Sequence, residues 1–311
     1  MTHPLLDPVI VAAVERAASA HRGRPWTTQG FTDLDSRAAH PSGILHGSPF
    51  SVFAKLASSA AGREQFAAEL LGLDLITRLA EVRTPAPVAT GVVSTGAGWL
   101  LLSEAVPERV GAARTRDDFS AIGHTLAALH LVTAGEFGLA DFDGYFGPLF
   151  QDNRPVPSNR WADFYAERRV RPMLRLAVDS GNLSSDLAEL AERRIDRLPD
   201  LCGPEPQPSL LHGDAQQNNF VCTTGGAVVI DAAPYFGHPE IDLALIDYFE
   251  PTSPAVFDAY REIRPIDDGF DDRRELWRAF SYLAVIAEDG QNPFGRQFVA
   301  RLADALGGSA R

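Results

Sequence analysis

The stretch Leu210 to Leu245, LLHGDAQQNNFVCTTGGAVVIDAAPYFGHPEIDLAL, restricts what this chain can become more than any other segment. Two short apolar, β-prone runs, Phe220-Val221-Cys222 and Ala227-Val228-Val229-Ile230, flank Thr223-Thr224-Gly225-Gly226, a pattern that reads as a hairpin. A hairpin there returns Asp231 to the neighbourhood of Asn219. Asp214 closes His212-Gly213-Asp214 five residues before Asn219. Phosphoryl transfer needs a carboxylate beside the acceptor hydroxyl and oxygen ligands that hold Mg²⁺ against nucleotide phosphates. Asp214 is therefore the candidate base, with Asn219 and Asp231 the candidate magnesium ligands. A neutral carbonyl and a carboxylate are hard donors suited to Mg²⁺, the phosphates of ATP and water supplying the rest. Each of these residues alone is more often a turn former. The ordered set, HGD, Asn, strand, then Asp, favours phosphoryl transfer.

Lys55 bears on the same chemistry, because it is the only lysine among the 28 Lys and Arg residues. It ends the alternating run Phe50 to Lys55, which is strand-like and similar to the strand whose lysine holds nucleotide phosphates in kinases. A compact ammonium can act there where a planar guanidinium cannot. The following stretch, Ala61 to Ala80, predicts a helix with an apolar stripe at Phe66, Leu70, Leu73 and Ile76. Glu69 lies within that stripe, and a carboxylate on an apolar face needs a cation partner. Lys55 is the expected one; an edge-of-stripe Glu reaching solvent is the alternative.

These residues sit in a wider pattern. VFAK, FAAELLGL, IGHTLAALH, FGL followed by QDN, WADFYAERRVRPML, LLHGD, VVIDAAPYFGHPEIDLAL and VFDAYREI together resemble the fructosamine kinase (ketosamine kinase) family. That family is a branch of the aminoglycoside phosphotransferase and choline kinase group. The resemblance runs over most of the chain from about Lys55 onward. It implies an α+β, bilobal protein-kinase-like fold, with an antiparallel sheet and helix in the small lobe and a mainly helical large lobe. The lobes are expected at 1–103 for nucleotide binding and 104–311 for catalysis and substrate. It implies ATP and Mg²⁺ as cofactors, Asp214 as catalytic base, Asn219 and Asp231 as metal ligands, Lys55 as the phosphate-binding lysine and Glu69 as its partner. Ser103, Glu104 and Ala105 fall where a hinge holds adenine. Asp143, Asp152, Asn153, Trp161 and Tyr165 fall in the segment that enters the acceptor side.

Three departures stand out. The phosphate-covering region, Gly30 to Gly47, has glycines only at Gly30, Gly43 and Gly47. Ala215-Gln216-Gln217-Asn218 replaces a Leu-Trp-small-Gly run before the metal Asn. Ala232-Ala233-Pro234 follows the metal Asp where Pro-Ala is usual. These read as features of an active relative whose acceptor is open to drift. The expected reaction is phosphorylation of a hydroxyl on a ketosamine, free or protein-bound. The alternatives are an aminoglycoside-type phosphotransferase, a catalytically silent nucleotide-binding relative, or a metal hydrolase built on His212, Asp214, Asp231 and His238.

Composition narrows the class. At 311 residues, 45% hydrophobic and 22% charged, the chain can bury a full core. A formal charge of −13 argues against nucleic acid as partner and suits a cationic amino-sugar or glycated amine, including glycated proteins. No apolar run reaches membrane-spanning length and the N-terminus lacks a basic signal-peptide start, so a cytoplasmic location is expected. Cys202 and Cys222 offer no disulfide or zinc framework. His130, on an apolar helix, reads as a core or loop-bonding histidine. Asp242 is expected to anchor the catalytic loop. Helices are expected at Leu5 to Ala20, Phe119 to Val132, Trp161 to Val178 with a kink at Pro172, Leu183 to Leu198, Ala255 to Glu262 and Asp272 to Ala287. Val88 to Val93 and Gly98 to Ser103 predict a strand pair, and the 220–230 hairpin the only strands of the large lobe.

Overall fold

The computed structural model describes residues 3–37, 39–108 and 114–307. The described residues form two compact units, one within Met1–Arg114 and Asn219–Ala232, the other within Thr115–Asn218 and Ala233–Arg311.

The first unit opens with α1 (Pro8–Arg22), capped by the Asp7 carboxylate, which accepts from Val9 N, and stopped at Gly23 with φ 72°. The sequence places the helix start near Leu5, but Pro4–Leu6 forms a 3₁₀ turn instead. Pro8 explains the shift, since proline favours the first position of a helix. Strands β1 (Gly30–Asp33), β2 (Ser42–His46) and β3 (Val52–Ala57), helix α2 (Ala60–Ala80) and strands β4 (Val93–Thr95) and β5 (Gly98–Glu104) follow. The five strands make one antiparallel sheet in the order β1-β2-β3-β5-β4. Val88 to Val92, expected as strand, lies outside it, and β4 is only three residues long.

Strand alternation divides the core of this unit. Val52, Ala54 and Leu56 of β3, with Leu100 and Leu102 of β5, pack on Ile10, Val14 and Ala18 of α1. Ala57 and Leu101 turn the other way and pack on Phe66 of α2. A strand sends successive side chains to opposite faces, so Lys55 shares the α2 face with Ala57 and stands opposite Leu101 in the register.

The second unit is mainly helical, beginning with α3 (Arg116–Leu131), whose Thr115 and Asp118 form a reciprocal capping box. Strands β6 (Gly144–Phe146) and β7 (Leu149–Gln151) form a small hairpin, so the 220–230 segment does not hold the only strands outside the five-stranded sheet. The helix expected over Trp161 to Val178 is α4 (Trp161–Tyr165), a π-helical turn at Ala166–Val170 and α5 (Arg171–Asp179). The irregularity precedes Pro172 because a proline ring crowds the carbonyl four residues back and removes a donor. Next come α6 (Ser185–Ile195), α7 (Leu198–Leu201) and β8 (Ser209–Leu210). Strands β9 (Phe220–Thr223) and β10 (Gly226–Val229) belong to the first unit. The second unit resumes with β11 (Phe236–Gly237), which pairs with β8, and continues through α8 (Glu240–Leu245), α9 (Ala255–Ile263), α10 (Phe270–Asp289) and α11 (Pro293–Ala305).

Helices α3 and α9 pack so closely that a Cβ on Gly123 would lie 2.1 Å from the Val256 carbonyl oxygen. Trp161 centres an aromatic core, with ring contacts to Phe137, Phe164, Tyr165, His238 and Trp277. The α+β class, with an antiparallel sheet and helix on one side of the division and a mainly helical unit on the other, is the one expected.

Candidate functional site

In the first unit the Lys55 ammonium donates to both carboxylate oxygens of Glu69, at 2.9 and 3.0 Å, and to Asp231 Oδ1. Helical spacing puts Glu69 one turn past Phe66, on the face that α2 turns to the sheet. Lys55 is 7% exposed. A buried ammonium is tolerable only with such partners. Two carboxylates hold its pKa above the usual lysine value, against the opposing effect of burial. Burial pushes the Glu69 carboxyl up, with Lys55 opposing. One cation thus serves two carboxylates, and the group carries an excess of acceptor oxygen.

The hairpin delivers Asp231 as its pattern predicts. Val229 pairs with Phe220, and Ile230 N then donates to Asn219 O at 3.0 Å, so Asn219 and Asp231 flank the open end of the ribbon. Asp231 adopts φ 55°, a left-handed conformation that Asp tolerates better than most residues, at the point where the chain turns out of the hairpin. Its side chain is 38% exposed while one oxygen is engaged by Lys55. A partly exposed carboxylate at Asp231 and a carboxamide at Asn219, which is 5% exposed, are oxygen donors of the kind a hard cation such as Mg²⁺ takes, without the sulfur or imidazole that a transition metal favours.

The second unit holds Asp214 on a loop braced from below. Asp242 Oδ2 accepts His212 N at 2.6 Å and Oδ1 accepts Gly213 N at 3.1 Å. Asp242 also meets His130 Nε2 at 3.1 Å, and His130 Nδ1 meets the Tyr260 hydroxyl at 2.8 Å. Burial holds His130 below the usual histidine pKa, so the ring is neutral. An Nε2 facing a carboxylate must carry the proton, which leaves Nδ1 to accept from Tyr260. Gly213 is required twice, for its φ of 85° and because a Cβ would lie 2.0 Å from Ala233 O. Gln216, in the departure AQQN, donates to Asp214 Oδ2 at 3.2 Å. Asp242 anchors the loop as expected. Its pairing with His130 and the contact from Gln216 were not anticipated, and residues 112 positions apart leave no local trace of such a pair.

Other expected residues divide. Ser103 and Glu104 end β5, but the N–H of Glu104 goes to Ala86 O and that of Ala105 to Ser51 O, each at 2.8 Å. The Glu104 carboxylate meets His21. Asp152 binds Arg154 and Arg168, and the hydrogen bond from Arg154 leads in holding its carboxyl below the usual range. Asp143 Oδ1 accepts Asn153 N. Asn153, fully buried, receives Arg169 from the π-helical turn. Trp161 and Tyr165 must be reassigned from acceptor contacts to core: both are 0% exposed, and the Tyr165 hydroxyl bonds the carbonyls of Leu276 and Trp277.

The hydrolase alternative loses its donors. His212 Nδ1 accepts from Asp214 N and His238 Nδ1 from Glu240 N, both bracing their own loops. Among the described residues, the group of three or more His, Cys, Asp or Glu close enough for a metal is His3, Asp33 and Asp35. There His3 Nδ1 accepts from Leu5 N, which puts the ring proton on Nε2, facing Asp35. A proton, not a lone pair, points at the carboxylates. Both cysteines are buried thiols, as expected.

Comparison with known proteins agrees with this geometry. The sequence profile described as fructosamine kinase matches residues 10–306. A candidate ketoamine kinase of Synechocystis sp. is 29% identical over 282 residues, covering 90% of this chain and 92% of its own. The crystal structure of a candidate fructosamine-3-kinase from Thermobifida fusca superposes with a TM-score of 0.79 at 31% identity, over 94% of this chain and 98% of that one. An aminoglycoside phosphotransferase shares the fold at a TM-score of 0.59 and 16% identity, over 94% and 98% of the two chains. No helix among the described residues is long and apolar enough to cross a membrane. The chain belongs to the fructosamine kinase family and has its protein-kinase-like fold.

Proposed function

We propose that the protein transfers the γ-phosphoryl group of ATP to a hydroxyl of a ketosamine, a sugar-amine adduct that is free or carried on a protein lysine. The observation that carries this reading is the Lys55 ammonium held by Glu69 and Asp231. In the proposal Glu69 fixes Lys55 where it meets nucleotide phosphates, and Asn219 and Asp231 hold Mg²⁺, which supplies charge neutralisation at the phosphates. Asp214 accepts the proton of the acceptor hydroxyl as its oxygen bonds to phosphorus and the bond to ADP breaks. Ser103 to Ala105 border the adenine. Asp143 supplies a carboxylate toward a cationic acceptor, whereas Asp152 is taken up by Arg154 and Arg168.

The intact lysine group speaks against a silent relative, since a chain released from nucleotide chemistry has no need to bury a paired ammonium. The net charge of −13 supports amines over nucleic acid as partners and is compatible with a cytoplasmic setting. Purified protein with ATP and Mg²⁺, offered fructosamines, ribulosamines and aminoglycosides, tests the assignment. Phosphate ester formation on the ketosamines alone is the expected result. Phosphorylation of aminoglycosides only would replace the acceptor, and no transfer with intact nucleotide binding would remove the ketosamine reading.

A further inference from the structure

The β9–β10 ribbon has four residues in each strand, too few to hold its own geometry in water. Yet it must hold Asn219 and Asp231 in register with Lys55. Two arginines of the same unit grip it. Arg83 accepts Val229 N at its backbone oxygen, at 2.8 Å, and its Nη1 donates to Gly225 O at 2.8 Å and to Thr223 Oγ1 at 3.4 Å. Arg114 Nη2 donates to Phe220 O at 2.8 Å, at the root of the ribbon beside Asn219.

The turn is shaped to receive the grip. Thr223 Oγ1 donates to Gly226 O at 2.8 Å and accepts Gly225 N at 3.1 Å, which closes the turn from inside. A Cβ on Gly225 would lie 2.7 Å from Arg83 Nη1. Gly225 has no left-handed φ to explain it, so the glycine serves the close approach of the guanidinium.

We propose that Arg83 and Arg114 are positioning residues for the Asn219–Asp231 pair, fixing the ribbon at its tip and root so that Asp231 stays against Lys55. This rests on the reading of Asn219 and Asp231 as metal ligands. The bonds described run from the arginines to the ribbon, so in this proposal they act through Asn219 and Asp231. Arg83 is exposed, so its replacement opens no core.

Amide hydrogen exchange on the ligand-free protein and calorimetry with Mg²⁺ and a non-hydrolysable ATP analogue test it. Arg83→Ala is expected to speed exchange at Val229 and Ile230 and to weaken Mg²⁺-nucleotide binding by about tenfold, the size of one charge-assisted hydrogen bond. Gly225→Ala should reproduce the faster exchange with Arg83 intact, and Arg83→Lys should recover part of both losses. Nucleotide binding in EDTA should change less. Wild-type exchange and affinity in Arg83→Ala would overturn the inference. A wild-type protein that binds no Mg²⁺-nucleotide would sink the kinase reading instead, and the exchange measurement would still decide whether the arginines hold the ribbon.

Discussion

The two units fix their key residues in opposite ways. In the first, charge does the holding: one ammonium serves two carboxylates, and one of those, Asp231, stays partly open to solvent. In the second, the loop carrying Asp214 is held by its backbone, through Asp242, a neutral His130 and Tyr260, all closed to solvent. Charges that must exchange partners with a metal and phosphates belong in the first arrangement. A base that needs only a fixed aim belongs in the second, where hydrogen bonds rather than mobile ions set its place.

The comparison can be broken most forcefully at Asp214. Asp214→Asn should cut kcat by about 10²- to 10⁴-fold, the usual share of a general base, while nucleotide affinity and Tm stay near wild type. A variant of undiminished rate would remove the base from its role. Asp242→Ala strands the N–H groups of His212, Gly213 and His130 in the interior. At about 1–3 kcal/mol for each buried unsatisfied group, a loss of roughly 3 kcal/mol or more is expected in chemical denaturation. If stability barely moves, the brace is not what holds the loop. Gly123→Ala should cost about 1–3 kcal/mol by forcing α3 from α9, an overpacking effect within the second unit that leaves nucleotide affinity unchanged.

The response to acid tests the second unit in another way. Burial pushes His238 from 6.5 down to about 3, with Arg273 and Arg264 adding to the fall. The folded state therefore binds fewer protons than the unfolded chain between those values. Stability from neutral His238 is complete above about 6.5 and is lost as pH falls toward 3. His130 is shifted in the same sense. Calorimetric Tm should be flat above neutrality and fall below it, with a shallower fall in His238→Gln. An equal slope in that variant would place the acid sensitivity elsewhere.

The sequence was most legible where a period carried the information. Apolar runs around Gly225-Gly226 announced the hairpin, and alternation through Phe50 to Lys55 with helical spacing to Glu69 announced the ion pair. Resemblance named the family, and the profile match bears it out. What stayed hidden had no period. The strands β6 and β7 are three residues each around Gly147-Pro148, too short for alternation to register. Arg83 and Arg114 are two of 27 arginines, both in irregular segments. Trp161 and Tyr165 looked like acceptor contacts because aromatic rings suit both sugar faces and cores. Their position on the buried side of α4 decides for the core, where large rings bury the most area.

Lys55 offers the most direct test, because a chain with a single lysine gives a single side-chain signal in lysine-selective ¹³Cε labelling. Titration with Mg²⁺ and a non-hydrolysable ATP analogue should shift that resonance and saturate in step with nucleotide binding, as the ammonium trades Asp231 for phosphate. A resonance that stays put while nucleotide binds would show that the phosphates are held without Lys55, contrary to the function argued from its ion pairs.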